Sequence, residues 1–127
     1  MAYLLAALGG ALGALARWVI AEAVPRSPGE WPWATLAVNL LGCLLIGALI
    51  AVLAARGPDD ERLRTFLGAG VLGGFTTFSA FAVEVADLLR AGPPWVAAAY
   101  VAVSVLGGLL AVAAGLRLVA AAAGFRA

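Results

Sequence analysis

GGFTTFSAF fills positions Gly73–Phe81, in the middle of a stretch apolar enough to cross a membrane. Two glycines, two threonines and a serine stand there beside three phenylalanines. Gly73 and Gly74 each weaken a helix by about 1 kcal/mol relative to alanine. Thr76 and Thr77 are β-branched, and their hydroxyls can bond to local backbone. Together these residues predict an unwound turn near mid-membrane. Unwound backbone is tolerated at that depth only where it lines a cavity or is buried in protein. It also releases carbonyl oxygens that can hold a small cation, as the broken helices of transporters do. Close packing by the two glycines is the alternative that spacing alone leaves open.

The rest of the chain supports a membrane setting. Of its 127 residues, 65% are hydrophobic and 12% charged, with mean hydropathy +1.06; a soluble domain is usually about 45–50% apolar. Charge-free runs extend over Trp31–Ala55, Thr65–Val83 and Ala91–Leu116, and Met1–Ala16 reaches spanning length by continuing past Arg17 to Val24. A spanning helix needs roughly 20 residues. The expectation is therefore an all-α polytopic membrane protein, one four-helix domain over 1–127 with helices at about 3–24, 33–55, 64–89 and 95–118. Four short segments cannot close a barrel, and open strands go unsatisfied in lipid. No basic residue precedes Arg17, so the first segment does not read as a cleaved signal peptide. Prolines and glycines mark short connections at 25–33, 56–64 and 90–94. Cys43 is the single cysteine and there is no histidine, which argues against a disulfide within the chain and against a conventional metal site. Nor is there a nucleophile–base pair or a cofactor motif, so an enzyme is disfavoured. A net charge of +1 without a basic patch gives no footing for nucleic acid.

Arginines set the orientation weakly. Arg56, Arg62, Arg64 and Arg126 lie on one side, Arg26 and Arg90 on the other, and the chain has no lysine. The positive-inside rule then gives either an N-terminus in the cytoplasm or a chain that inserts both ways and pairs head to tail. Polar residues within the spans are more specific. Asn39, with Thr35 one turn before and Gly42/Cys43 one turn after, makes a narrow stripe; Tyr100, Ser104 and Gly108 make a second. Phe78 and Phe81 share a face of the third span, followed by Glu84 and Asp87 near its end. Each polar residue taken alone reads as interhelical glue, at about 0.6 kcal/mol. Together they exceed what one small bundle can bury, which calls for a partner subunit. Arg17, two-thirds along its helix, either snorkels to the headgroups or lines a vestibule that concentrates anions. Phenylalanine has a positive ring edge, so a small hard anion could pass along Phe78 and Phe81, aided by donors from Asn39, Thr77, Ser79 and Ser104.

The stretch GxxGGFTTFSAF, preceded by NLLGCLLIG and followed by YVAVSVLGG, resembles the Fluc (CrcB) family of fluoride channels over essentially the whole chain. The resemblance implies an antiparallel, dual-topology homodimer in the cell membrane, with two pathways that export fluoride passively and relieve its toxicity. It implies a structural sodium ion on the two-fold axis, held by backbone carbonyls of Gly73 and Thr76 from both copies. Phe78 and Phe81 would line each pore, and Asn39 would donate its amide to fluoride with Thr77 and Ser79 nearby. Tyr100 and Ser104 would lie on the exit track and Glu84 near one mouth. Arg17 and Thr35 would be vestibular or structural. Leu106 stands where some members carry another hydroxyl, which implies a shorter polar track. Two alternatives are a proton-coupled small multidrug transporter and a non-transporting assembly subunit. The first needs a carboxylate deep in the first helix, which offers only Glu22 near its end. The second would use Gly9-x-x-x-Gly13 packing but leaves Phe78, Phe81 and Asn39 unexplained.

Overall fold

A computed structural model describes residues 1–56, 60–122 and 124. All regular structure among these residues is helical. Helix α1 spans Ala2–Ala23 and α2 spans Trp33–Arg56. The third membrane segment is composite: a short α3 (Glu61–Leu63), a π-helical stretch (Arg64–Leu72), α4 (Gly73–Phe75) and α5 (Phe78–Ala91). Helix α6 runs from Pro94 to Ala122, beyond the end near Leu118 that hydropathy suggests. Four segments, Ala2–Ala23, Trp33–Arg56, Glu61–Ala91 and Pro94–Ala122, are long and apolar enough to cross a membrane. Of the arginines that bear on orientation, Arg126 lies outside the described residues, as do positions 57–59 of the second connection.

Small residues decide which helices pair. A Cβ at Gly9 would overlap the carbonyl of Phe66, and one at Gly13 the carbonyl of Val71, so α1 rides backbone to backbone on the π-helical stretch. Helices α2 and α6 approach in the same way: a Cβ at Gly47 would strike the Val112 carbonyl and one at Gly115 the Leu44 carbonyl. Lipid supplies no hydrophobic drive between helices, so close packing at small residues takes that role. Helix α5 packs on the α2–α6 pair through a core of Leu36, Leu88, Ala97 and Tyr100, flanked by Trp31 and Phe81. Leu49, Leu53 and Leu72 form a smaller cluster toward the other face. Large apolar side chains cover the exterior, Leu4, Trp18, Leu109 and Leu110 among them, as suits a surface that meets acyl chains.

Candidate functional site

The helical backbone stops after Phe75. Thr76 (φ −79°, ψ 158°) and Thr77 (φ −147°, ψ 115°) are extended, and the helix resumes at Phe78. The threonines bring about both the stop and the restart. Thr76 Oγ1 donates to the Leu72 carbonyl at 2.9 Å. Thr77 Oγ1 accepts from the Ala80 amide at 3.1 Å, as an N-cap hydroxyl does. Gly73 and Gly74 stay helical, and Gly74 serves close approach, since a Cβ there would overlap the Gly10 carbonyl of α1. The unwinding thus falls on the threonines, and the close packing that spacing left open falls on Gly74.

Asn39 of α2 grips the extended residues. Its Oδ1 accepts from the Thr77 amide at 2.9 Å and its Nδ2 donates to the Thr77 carbonyl at 3.1 Å. In a continuous helix the Thr77 amide would close onto the Gly73 carbonyl, and the Ala80 amide onto the Thr76 carbonyl. Both donors are diverted here, one to Asn39 and one to the Thr77 hydroxyl. The Gly74 carbonyl accepts instead from Arg17 Nε at 3.2 Å. Arg17 is half-buried and its Nε turns inward. Snorkelling is thus not what fixes this group, because a carbonyl near the end of α4 offers a fixed acceptor within reach.

A second polar layer lies toward the 25–33 connection. Glu84 accepts from Thr35 Oγ1 at 2.6 Å and from the Tyr100 hydroxyl at 2.8 Å. Tyr100 is fully buried, so its hydroxyl depends on that carboxylate. Beyond it, Arg26 pairs with Asp87 at 3.3 Å and donates to the Glu30 carbonyl at 3.3 Å, while Arg90 approaches Asp87 at 3.6 Å. Two clefts serve this region. The outer, about 400 Å³, has Arg26, Glu30, Trp31, Thr35 and Glu84 in its wall. The inner, about 180 Å³, has Arg17, Thr35, Val38, Thr77 and Glu84. They share Ala21, Ala34, Thr35 and Glu84, so the polar route leads from the connection toward the extended threonines.

Trp31 and Trp33 line the outer cleft, and Phe78, Phe81 and Tyr100 stand outside both cleft walls. Phe78 and Phe81 lie 5.8 Å apart between centroids, Phe81 and Tyr100 5.4 Å, and Trp31 meets Tyr100 edge-on at 5.6 Å. Phe81 packs inside, whereas Phe78 is 80% exposed. Exposed Ser79 sits beside Thr77, with their hydroxyls 3.2 Å apart. Ser104 Oγ and Trp31 Nε1 are buried with no hydrogen-bond partner among the described residues. The fold therefore brings Arg17, Thr35, Thr77 and Glu84 into the cleft walls, places Asn39 and Tyr100 behind them through their bonds to Thr77 and Glu84, and leaves Gly73, Phe78 and Ser79 on the outside of the single chain. The sequence uses Arg26 only for orientation and passes over Trp31, and it places Asp87 at an interfacial helix end. The Arg26–Asp87 contact joins residues 61 apart in sequence, which no local spacing reveals. Among the described residues no group of three or more His, Cys, Asp or Glu side chains is placed to hold a metal. The oxygens suited to a hard cation are those of the backbone at the break.

A family model described as "CrcB-like protein, Camphor Resistance (CrcB)" matches residues 4–116. The chain is 49% identical over 108 residues to "Fluoride-specific ion channel FluC 2" of Thermobifida fusca, across 85% of this chain and 80% of that one. It is 50% identical over 117 residues to "Fluoride-specific ion channel FluC" of Hyphomonas neptunium, across 90% and 91% of the two chains. A protein of the same name from Sphingopyxis alaskensis is 46% identical over 113 residues, across 88% and 90%. The family match runs from α1 through the extended threonines and Asn39 into α6, and the chain belongs to the CrcB-like family.

Proposed function

We propose that this protein is a fluoride-selective channel that lets fluoride leave the cell passively across the cell membrane, as an antiparallel homodimer with two pathways. Relatives that match nearly half of its residues bear the name fluoride-specific ion channel. Their family is one of channels and not of enzymes. The observation that carries the reading within this chain is the extended Thr76–Thr77 pair, held by Asn39 next to the Phe78 and Phe81 rings.

Fluoride holds its water tightly, so a pore must replace that shell with strong donors and positive edges. The residues at and beside the break supply both. One Nδ2 hydrogen of Asn39 is engaged by the Thr77 carbonyl; the amide carries a second, which faces no such claim. The hydroxyls of Thr77, Ser79 and Ser104 add donors, and the ring edges of Phe78 and Phe81 add weak positive potential. Arg17 lends charge to the inner cleft, and Glu84 orients Thr35 and Tyr100 at the outer end. Selectivity over chloride would follow from width and donor number, as in other filters.

The donor chemistry fits a central sodium ion. The Gly73 and Thr76 carbonyls have lost the amides that would close them in a continuous helix, and carbonyl oxygens suit a hard monovalent cation. A second copy across a two-fold axis would add the same oxygens from its own chain, since an isologous contact repeats each ligand. When bound, the cation would offset repulsion between nearby anions. Lipid cannot satisfy open carbonyls or the exposed hydroxyl of Ser79, which is a further reason for a second copy to cover this face.

Purified protein in liposomes loaded with fluoride should release it without a proton gradient and release chloride at least a hundredfold more slowly. Equal rates for the two ions, or transport that stops when the proton gradient is collapsed, would defeat the reading. Phe78→Ile and Phe81→Ile should each reduce fluoride flux about tenfold or more while the protein keeps its elution position. Unchanged flux in either would remove the ring-edge role.

A further inference from the structure

The two polar clefts carry unequal charge. Two carboxylates, Glu30 and Glu84, stand in the wall of the outer cleft. Among the described residues Arg26 is the only cation in that wall. The inner cleft sets Arg17 against Glu84 and is balanced. The bonds that Thr35 and Tyr100 donate to Glu84 spread its charge without cancelling it. An anion that enters from the 25–33 connection therefore meets a wall one charge negative before it reaches Arg17. A cleft lined by one sign of charge repels ions of that sign and slows their arrival.

Arg26 does not lend its whole charge to that wall. Its Nη2 lies 3.3 Å from Asp87, a residue outside both cleft walls, and its Nη1 donates to the Glu30 carbonyl at 3.3 Å. Its side chain is 21% exposed, so water and salt screen it only in part. The connection does not need the ion pair as a tether. It closes on itself: the Glu30 amide donates to the Ser27 carbonyl at 3.1 Å, and the Ser27 amide donates to the Glu30 carboxylate at 2.9 Å. Pro32 is fully buried, and Trp31 packs against the Tyr100 core. What the pair controls is how much of the Arg26 charge the cleft receives.

We infer that Arg26 sets the rate at which the anion enters the outer cleft, and that Asp87, by holding the Arg26 guanidinium from outside the wall, restrains that entry. Neither residue need touch the ion. The two partners of one ion pair then act on flux in opposite directions. A purely structural pair would act through its loss, so removing either partner would move flux the same way. A unit charge at the rim of a solvated cleft shifts the local anion concentration about threefold at low salt. The inference rests on the anion-channel reading above.

Fluoride efflux from liposomes at about 10 mM ionic strength, where the screening length is about 30 Å, tests it. Arg26→Gln should lower the rate about threefold, and Asp87→Asn should raise it by a similar factor. Arg26→Lys should recover most of what Arg26→Gln loses. Glu30→Gln keeps an acceptor for the Ser27 amide and leaves the ion pair whole, and it should raise the rate as Asp87→Asn does. In about 1 M of an impermeant salt, where the screening length is about 3 Å, these differences should shrink by at least half. Lower rates in both Arg26→Gln and Asp87→Asn would make the pair a tether and overturn the assignment. Differences that keep their size in high salt, or a Glu30→Gln rate at or below wild type, would overturn it too. If Arg26→Gln does not fold, the Asp87→Asn and Glu30→Gln rates decide. A wild-type protein that passes no fluoride removes the channel reading and this inference with it. A wild type that conducts while the variants depart from this pattern removes the inference alone.

Discussion

Asn39 illustrates how one side chain can carry both structure and function. Its amide satisfies the N–H and the C=O of a single extended residue, Thr77, at 2.9 and 3.1 Å. Interhelical hydrogen bonds in membranes average only about 0.6 kcal/mol, because the loosened state finds other partners. Thr77 has no ready substitute, since its amide and carbonyl lie where the helical ladder is interrupted. The larger penalty for stranded polar groups, about 1–3 kcal/mol, is then the relevant one. Asn39→Ala should lower unfolding stability by about 2 kcal/mol, read from unfolding in mixed detergent micelles. Asn39→Asp should recover part of that stability, because a carboxylate still accepts from the Thr77 amide, but it should not recover fluoride flux, because it repels the anion. Restored flux in Asn39→Asp would remove the amide donor from the pathway. Sequence reading selects Asn39 on chemistry alone, because an amide in mid-helix demands a partner. It does not reveal that the partner is the backbone of Thr77, 38 positions away. The same holds for Glu84: its place near a helix end is legible, but its bonds to Thr35 and Tyr100 arise from tertiary packing.

At the scale of elements, apolar runs announce the four spans and turn residues announce their ends; the pairing of helices rests on glycines whose neighbours only the fold supplies. Gly10 and Gly74 show why composition is not enough. The two meet across α1 and α4, yet they are not equivalent. A Cβ on Gly10 finds nothing within 4 Å, while one on Gly74 overlaps the Gly10 carbonyl. Gly10→Ala should therefore be neutral or stabilising by up to about 1 kcal/mol through helix propensity. Gly74→Ala should cost about 1–3 kcal/mol by overpacking. It should also displace the carbonyl that Arg17 holds, so fluoride flux should fall with stability. Thermal unfolding of both variants in one detergent checks the sign. Similar destabilisation in the two would mean that α1 and α4 do not approach as closely as described. The location of the extended residues follows the same division. The glycines mark the neighbourhood, but the threonine hydroxyls, bonded to Leu72 and Ala80, decide which two residues leave the helix.

For the whole molecule the question is what covers the outer face of the break. Phe78 is 80% exposed, Ser79 and Gly73 are exposed beside it, and the Gly73 and Thr76 carbonyls lack their helical donors. A bilayer centre offers no hydrogen bonds to such groups, so a lone chain would be poorly matched to lipid along this strip. An inverted second copy would present the same strip to it, carbonyl to carbonyl about one axis, and that arrangement makes a demand on topology. For such a pair the protein would have to insert in both directions with comparable frequency, which an arginine bias of only four to two, in a chain without lysine, permits. Arg62→Cys, in a Cys43→Ser background, places one label site at the 56–64 end of the bundle. In sealed cells a membrane-impermeant maleimide should label about half of these sites, and the remainder only after permeabilisation. Ser27→Cys, at the opposite end, should give the complementary half. Complete labelling at one position with complete protection at the other would mean a single orientation. The antiparallel pair, and with it a shared cation site on its axis, would then have to be abandoned.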